Sequence, residues 1–161
     1  MSDRVFNFAA GPATLPLPVI EQIKADLPVF GETGASILEI SHRSKDFERV
    51  ADEAEENLRM LLGIPEGYHV LFLQGGASTQ FAMVPLNFLG DGVADYIQTG
   101  VWGSKAATEA RRAGKVSVAW TGEADGFTRV PTKGEMALTD GASYVHLTSN
   151  ETVHGVQWPE I

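Results

Sequence analysis

The sequence predicts an α/β fold in which a largely parallel sheet is flanked by helices. From residue 69 onward, short apolar runs alternate with stretches of helical spacing, which is the pattern of βα units. The 161 residues are 43% hydrophobic and 20% charged, a composition typical of a globular chain that buries a core. Ligands of such sheets bind beyond the carboxyl ends of the strands, so we expect the functional turns there.

The first residues predict an arm followed by a helix. Residues 5–12 are a short apolar segment ended by a Gly-Pro pair, which predicts an extended arm or edge strand within an N-terminal arm over residues 1–14. Apolar residues then recur every three or four positions from Leu17 to Leu27, with prolines acceptable in the first helical turn. Residues 31–36 are predicted to form a loop.

The clearest helix follows this loop. Ser44 or Asp46 is suited to be its N-cap, one apolar face runs from Phe47 to Leu62, and Gly63 stops it. The acidic residues between positions 52 and 56 lie largely on the opposite face, and we interpret them as solvated rather than as a metal site.

Four apolar runs predict strands, at residues 69–73, 95–98, 115–120 and 143–147. A helix is expected from about Thr79 and another through Ala110, and residues 121–142 are expected to be loop around a short helix. The predicted strands and helices belong to one domain over residues 15–161. Because the sequence ends just after a strand-to-loop transition, we expect this domain to be incomplete.

The charge balance restricts the partners. Twelve Lys and Arg residues against 21 Asp and Glu residues give a net charge of -9, which argues against nucleic acid and against an anionic membrane surface. No cysteine is present, so disulfides and thiolate chemistry are excluded, and the histidines lack the spacing of metal ligands. With no secretory signal and no apolar run of about 20 residues, we expect a soluble, cytoplasmic protein that binds no metal.

The most informative turn is Gly75–Thr79, between a predicted strand and a predicted helix. Small residues allow a ligand to approach the backbone, and the free N–H groups and dipole of a helix N-terminus favour a phosphate. The alternative is a tight turn in which Ser78 or Thr79 caps the helix. The residues alone leave these two interpretations about equal.

Two further turns follow predicted strands. In residues 99–103, Trp102 is able to stack on a planar ring, although a lone tryptophan is more often packed in a core or an interface. Residues 148–152 carry polar groups suited to orienting a ligand, with a helix N-cap as the simpler interpretation. Arg43 is able to hold a carboxylate in a bidentate fork, but alone it is more simply a surface cation.

Together these segments resemble the phosphoserine aminotransferase family, which are class V, fold-type I enzymes that use pyridoxal 5'-phosphate (PLP). The resemblance lies in FNFAAGPATLP at 6–16, SHRSKDF at 41–47, FLQGGASTQFAMVPLN at 72–87, TGVWGSKAATEA at 99–110 and TSNETVHGVQW at 148–158. It implies the large domain of a PLP-dependent transferase of the aspartate aminotransferase type, incomplete in this chain and without the small C-terminal domain.

The resemblance also implies an activity. The family converts 3-phosphohydroxypyruvate and L-glutamate into O-phosphoserine and 2-oxoglutarate in serine biosynthesis, as homodimers. Many bacterial members also act on an analogous intermediate of pyridoxine biosynthesis. By position in the matching motifs, PLP would be bound by Gly76, Ala77 and Ser78 at its phosphate, by Trp102 on its ring and by Thr152 near its phenolic oxygen. Arg43 and the neighbouring His42 would bind substrate.

One part of the family's active site has no counterpart here. The lysine that forms the Schiff base and the aspartate at the pyridinium nitrogen belong to the part of the family sequence beyond the resemblance, so we assign no catalytic residue. The five lysines of this chain occupy other positions: Lys24, Lys45, Lys105, Lys115 and Lys133. We therefore expect this chain alone to be inactive. The alternative function is that of a non-catalytic module that binds anions and associates with itself.

Overall fold

The computed structural model describes residues 4–9, 11 and 13–160 of the chain. The chain divides into two compact units, Met1–Phe72 and Leu73–Ile161. No helix of the described residues is long and apolar enough to cross a membrane.

The first unit contains two helices, α1 (Leu17–Asp26) and α2 (Lys45–Leu62). Ser44, rather than Asp46, is the N-cap of α2, and its hydroxyl accepts a hydrogen bond from the Phe47 amide at 3.3 Å. Gly63 ends α2 in the left-handed conformation (φ 62°), which glycine adopts without steric strain. Both predicted helices are therefore confirmed. The described residues of the arm form no strand, while residues 1–3, 10 and 12 lie outside the described part.

The predicted strand at residues 69–73 is wrong. This segment is irregular, and the side chains of Leu71, Phe72 and Leu73 are exposed. Strand structure depends on hydrogen bonds to a neighbouring strand, and none of the described strands pairs with this run. The apolar character of the run therefore indicated only a tendency, and a strand forms from it only where a neighbouring strand pairs with it.

The second unit is built on a three-stranded parallel sheet with the order β2-β1-β3. The strands are β1 (Val93–Gln98), β2 (Lys115–Thr121) and β3 (Tyr144–Leu147), so three of the four predicted strands are confirmed. Central strand β1 is buried from Ala94 to Ile97, as expected for a strand covered on both faces.

Two helices accompany this sheet, α3 (Gly76–Phe88) and α4 (Val101–Ala110). Three fully buried alanines of α4, Ala106, Ala107 and Ala110, form a core with Leu89, Ala94 and Tyr96. α3 packs against α4. The α3 helix begins three residues before the predicted Thr79, because Gly75 and Gly76 accept positive φ angles of 90° and 58°.

Residues after β2 and β3 complete the unit. Between β2 and β3, two short 3-10 turns, Glu123–Asp125 and Lys133–Glu135, replace the single short helix that was expected. After β3, two short antiparallel strands, β4 (Asn150–Glu151) and β5 (Val156–Gln157), form a small hairpin that the sequence did not predict. This hairpin carries the polar residues Asn150, Glu151 and Thr152.

Candidate functional site

A cavity of about 460 Å³ lies in the second unit, between the N-terminal turn of α3, Trp102 of α4 and the segment that follows β3. It is lined by Gly75, Gly76, Ala77, Ser78, Phe81, Trp102, Thr148, Asn150 and Thr152. All five residues that the resemblance assigned to a cofactor are among them. The structure therefore brings these residues together at the carboxyl ends of β1 and β3, while their individual roles stay predictions.

The N-terminus of α3 forms one wall of this cavity. The N-cap is Gly75, which has no side chain to cap the helix, and Thr79 turns its hydroxyl back to the Gly75 carbonyl at 2.9 Å. Within the described part of the chain, the amides of Gly76, Ala77 and Ser78 have no hydrogen-bond acceptor. The alternative of Ser78 or Thr79 as N-cap is therefore wrong, and the free donors are suited to an anion.

A cation lies beside this helix N-terminus. Nζ of Lys105 donates a hydrogen bond to Oγ of Ser78 at 3.1 Å and lies 5.9 Å from the centroid of the Trp102 ring. The lysine follows Trp102 by three positions in α4, so both side chains lie on one face of the helix. The uncapped amides and this ammonium group give a locally positive wall in a chain of net charge -9.

Trp102 and Thr152 are hydrogen-bonded to each other. The indole Nε1 of Trp102 donates to Oγ1 of Thr152 at 3.0 Å. The Thr152 hydroxyl thereby accepts one hydrogen bond and keeps its own proton for a ligand. The neighbouring carboxylate of Glu151 is fully buried and accepts hydrogen bonds from the backbone amides of Trp102 and Gly103.

The remaining wall contains the Phe81 ring, with two further aromatic rings packed behind it, and the hydroxyl of Thr148. The Phe81 ring meets His146 edge-on with centroids 6.3 Å apart, and His146 stacks on Tyr96 at 4.7 Å. Burial lowers the pKa of His146, because desolvation penalises the charged imidazolium. Oγ1 of Thr148 is buried and has no hydrogen-bond partner among the described residues. A buried hydroxyl without a partner at a cavity wall is suited to a polar ligand.

His42 and Arg43 belong to the first unit. They lie in the loop before α2 and are exposed, and the Arg43 amide donates to Oγ of Ser41 at 3.2 Å. The exposed guanidinium of Arg43 is accessible to a carboxylate. The substrate-binding role of His42 and Arg43 stays a prediction.

Reasoning from the sequence did not identify Phe81 and Lys105 as residues of the site. Thr148, Asn150 and Glu151 belong to the turn at residues 148–152 that the sequence singled out, where Asn150 and Glu151 were interpreted as polar groups able to orient a ligand. Helical spacing could have indicated Phe81 and Lys105, since Phe81 follows Ser78 by three positions and Lys105 follows Trp102 by three. No local signal indicates that Glu151 accepts from the first amides of α4, because these partners lie 48 and 49 positions away in the chain.

Comparison with known proteins agrees with this architecture. The model of the family "Aminotransferase class-V" matches residues 5–161. A phosphoserine aminotransferase of Herpetosiphon aurantiacus is 54% identical over 155 residues, which are 96% of this chain and 43% of the relative. The solved phosphoserine aminotransferase of Bacillus circulans subsp. alkalophilus is 50% identical with a TM-score of 0.90, over 98% of this chain and 44% of that one.

A PLP-bound phosphoserine aminotransferase from Trichomonas vaginalis is also similar, with 35% identity and a TM-score of 0.88 over 98% of this chain and 45% of that one. The chain belongs to the class-V aminotransferase family. The predicted family and fold class are thus confirmed. The chain spans less than half the length of these relatives.

The cavity fits PLP in the chemistry of its donors. A phosphate requires hydrogen-bond donors and positive charge, which the free amides of α3 and Lys105 supply. A pyridine ring requires a flat apolar face, which the Trp102 indole offers. The unpartnered hydroxyl of Thr148 adds a polar group where a ligand would lie.

Proposed function

We propose that this chain carries the cofactor-phosphate and ring-binding part of a phosphoserine aminotransferase that uses PLP. One observation carries the proposal: a single cavity joins an uncapped helix N-terminus and a tryptophan face at the carboxyl ends of neighbouring parallel strands, with a lysine hydrogen-bonded to Ser78 in its wall. The reaction is the transfer of the amino group of L-glutamate to 3-phosphohydroxypyruvate, which gives O-phosphoserine and 2-oxoglutarate. The same chemistry would serve pyridoxine biosynthesis in a bacterial cell.

The N-terminus of α3 would hold the phosphate. The amides of Gly76, Ala77 and Ser78 point out of the first helical turn, where the helix dipole is positive. The Ser78 hydroxyl accepts from Lys105, so its own proton is available to a phosphate oxygen. Lys105 would then neutralise part of the charge of the dianion.

Trp102 and Thr152 would orient the ring. The indole would cover one face of the ring. The Thr152 hydroxyl, which already accepts from Nε1 of Trp102, would donate its proton to the phenolic oxygen of PLP. When bound, PLP supplies an electron-withdrawing ring that stabilises negative charge at the α-carbon of the amino acid. The contribution of this chain is to fix the plane of that ring and to cover one face.

Arg43 would bind a carboxylate of the amino-acid or keto-acid substrate, with His42 beside it. A guanidinium binds a carboxylate through two parallel hydrogen bonds, and its loss removes both. We expect Arg43→Ala, introduced into a full-length relative at the matching position, to raise KM for glutamate about a hundredfold. The matched control is Arg49→Ala, since Arg49 is a neighbouring exposed arginine paired only with Asp46 among the described residues. Unchanged KM in the Arg43 variant would remove this residue from the substrate site.

A second candidate is a non-catalytic module that binds anions and associates with itself. It is favoured by large apolar side chains that are exposed in the second unit: Leu73, Leu86 and Phe88. In the proposed enzyme, we expect such surface to be covered in a homodimer, and we place that homodimer in the cytoplasm.

The two candidates are separated by titrating the chain with PLP, with inorganic phosphate, and with PLP plus glutamate. The first candidate predicts that PLP quenches the fluorescence of Trp102 and binds more tightly than phosphate, and that Trp102→Leu weakens PLP binding about tenfold without changing phosphate binding. Equal affinity for PLP and phosphate would favour the anion-binding module. Transamination by this chain alone would overturn our expectation that none of its lysines anchors the cofactor.

A further inference from the structure

Glu151 is a buried acid that the function proposed above does not use. Its side chain is 0% exposed, and no Lys, Arg or His of the described residues forms an ion pair with it. Instead, Oε2 accepts from the Trp102 amide at 3.0 Å and Oε1 accepts from the Gly103 amide at 2.7 Å. The carboxylate therefore caps the N-terminus of α4 from a distant hairpin, where the helix dipole favours negative charge.

The backbone around Glu151 leaves room for this carboxylate and for little else. A Cβ atom at Gly100 would lie 2.6 Å from Oε2 of Glu151, and one at Gly103 would lie 3.2 Å from Oε1. Any side chain at Gly100 would therefore displace the carboxylate. The two glycines allow α4 to begin directly against Glu151, which fixes the start of the helix that carries Trp102.

Trp102 is thus held at two places by neighbouring residues of the hairpin. Glu151 holds its backbone amide and Thr152 holds its indole nitrogen, at 3.0 Å each. Because these two residues are adjacent, a shift of Glu151 moves both anchors of Trp102. The amide of Val101 adds a third, longer contact to Nδ1 of His154 at 3.4 Å.

We propose that Glu151 is a positioning residue that sets the plane of the Trp102 indole, and thereby the affinity of the cavity for the ring of PLP. The inference rests on the function proposed above. It predicts that Glu151 affects binding of the ring but not of the phosphate, since its hydrogen bonds go to α4 and not to Ser78 or the amides of α3. Loss of the carboxylate should weaken binding of the ring and leave binding of phosphate intact.

The test uses Glu151→Gln in the full chain, with Glu123→Gln as the control at an exposed acid. A glutamine keeps the shape but turns an NH₂ group toward one of the two buried amides, so that two donors face each other. Solvent exchange of the Trp102 indole proton is followed by NMR, and its resonance is assigned by its loss in Trp102→Phe. We expect exchange about tenfold faster in Glu151→Gln, with Trp120 and Trp158 unchanged.

Binding supplies the second readout. We expect Glu151→Gln to weaken PLP about tenfold while the affinity for inorganic phosphate stays within about twofold. Equal losses for both ligands would mean that Glu151 supports the fold in general, and would overturn the proposal. So would a folded Glu151→Gln chain whose Trp102 exchange matches the wild type.

If Glu151→Gln does not fold, Glu151→Asp keeps the carboxylate on a shorter stem and should give a partial effect on Trp102 and on PLP alone; failure of both variants to fold overturns the positioning role. If the unchanged chain binds no PLP, the function proposed above fails, but the exchange of the Trp102 indole still decides whether Glu151 positions that side chain.

Discussion

Helices α3 and α4 begin alike but have different surroundings. Each follows a glycine N-cap, Gly75 or Gly100, that has no side chain to satisfy the first amides. At α4, the buried carboxylate of Glu151 accepts from two of these amides. At α3, within the described residues, the corresponding amides have no acceptor and face the cavity. One N-terminus is closed by the protein, and the other is open to a ligand.

This difference identifies the ligand-binding helix. A helix N-terminus is electrostatically incomplete, and the fold completes it either with its own carboxylate or with a bound anion. A turn that only reverses the chain can be closed by a serine or aspartate N-cap, as Ser44 closes the start of α2. The start of α3 has no such cap. The pair of helices therefore supports the anion-binding interpretation of the Gly75–Thr79 turn.

The largest expected effect comes from making α3 resemble α4. Ser78→Asp places a carboxylate in the first turn of α3, where it satisfies the free amides and pairs with Lys105. We expect inorganic phosphate and PLP to bind about a hundredfold more weakly, because a fixed negative charge repels the incoming one. The same change should leave the free energy of unfolding unchanged or raise it by about 0.5 kcal/mol, since acids stabilise helix N-termini.

Isothermal titration with phosphate and urea unfolding measure the two effects. Ser78→Ala is the matched control, because it removes the hydroxyl without adding charge, and it should weaken phosphate only about fivefold. If Ser78→Asp binds phosphate as well as the wild type, the open N-terminus of α3 is not the anion site.

A smaller effect is expected from the cation between the two helices. Lys105→Gln should weaken inorganic phosphate about fivefold at low salt, since an exposed ammonium contributes a modest, screened attraction. The salt dependence of phosphate binding should also become shallower. Lys115→Gln is the control, because Lys115 is an exposed lysine at the start of β2, away from the strand ends where the cavity lies. An identical salt dependence in Lys105→Gln and the wild type would assign the anion to the backbone amides alone.

Much of this fold followed from the spacing of apolar residues. Helix α2 and strand β1 have strong local signals, and both formed where the sequence predicted them. The run at residues 69–73 has an equally strong local signal and formed no strand, because pairing is a property of a neighbour. Periodicity therefore predicts the elements that a chain segment forms alone better than those that need a partner.

Only part of the candidate site could likewise be predicted from local sequence. The sequence suggested the glycine turn and Trp102 because each follows an apolar run predicted to be a strand, although only the run before Trp102 forms one. The family resemblance added Thr152. The sequence could not distinguish the open helix from the closed one, since both begin with a glycine and the closing carboxylate belongs to Glu151, about fifty residues later. Only the folded chain brings that carboxylate to α4 and leaves α3 without one.

The smallest expected effect concerns His146, a partly buried histidine that packs between α3 and β1. His146 lies between Phe81 of α3 and Tyr96 of β1, and burial lowers its pKa below the ordinary 6.5. As pH falls, His146 therefore takes up a proton at a higher pH in the unfolded chain than in the folded chain. The stability that neutral His146 contributes is fully present above pH 6.5 and is lost as pH falls through the lowered pKa of the folded state.

Urea unfolding between about pH 7.5 and pH 5 measures this loss, which is at most about 1.4 kcal/mol per pH unit for one proton. His146→Gln has no imidazole to titrate, so its stability should fall less over this range, whatever its stability at neutral pH. The exposed His69 provides the control, and His69→Gln should keep the wild-type slope. If the slope of His146→Gln equals that of the wild type, protonation of His146 does not contribute to the pH dependence of stability, and the packing between α3 and β1 does not respond to pH through this residue. If the slope is shallower, the packing between α3 and β1 is sensitive to acid through a partly buried imidazole.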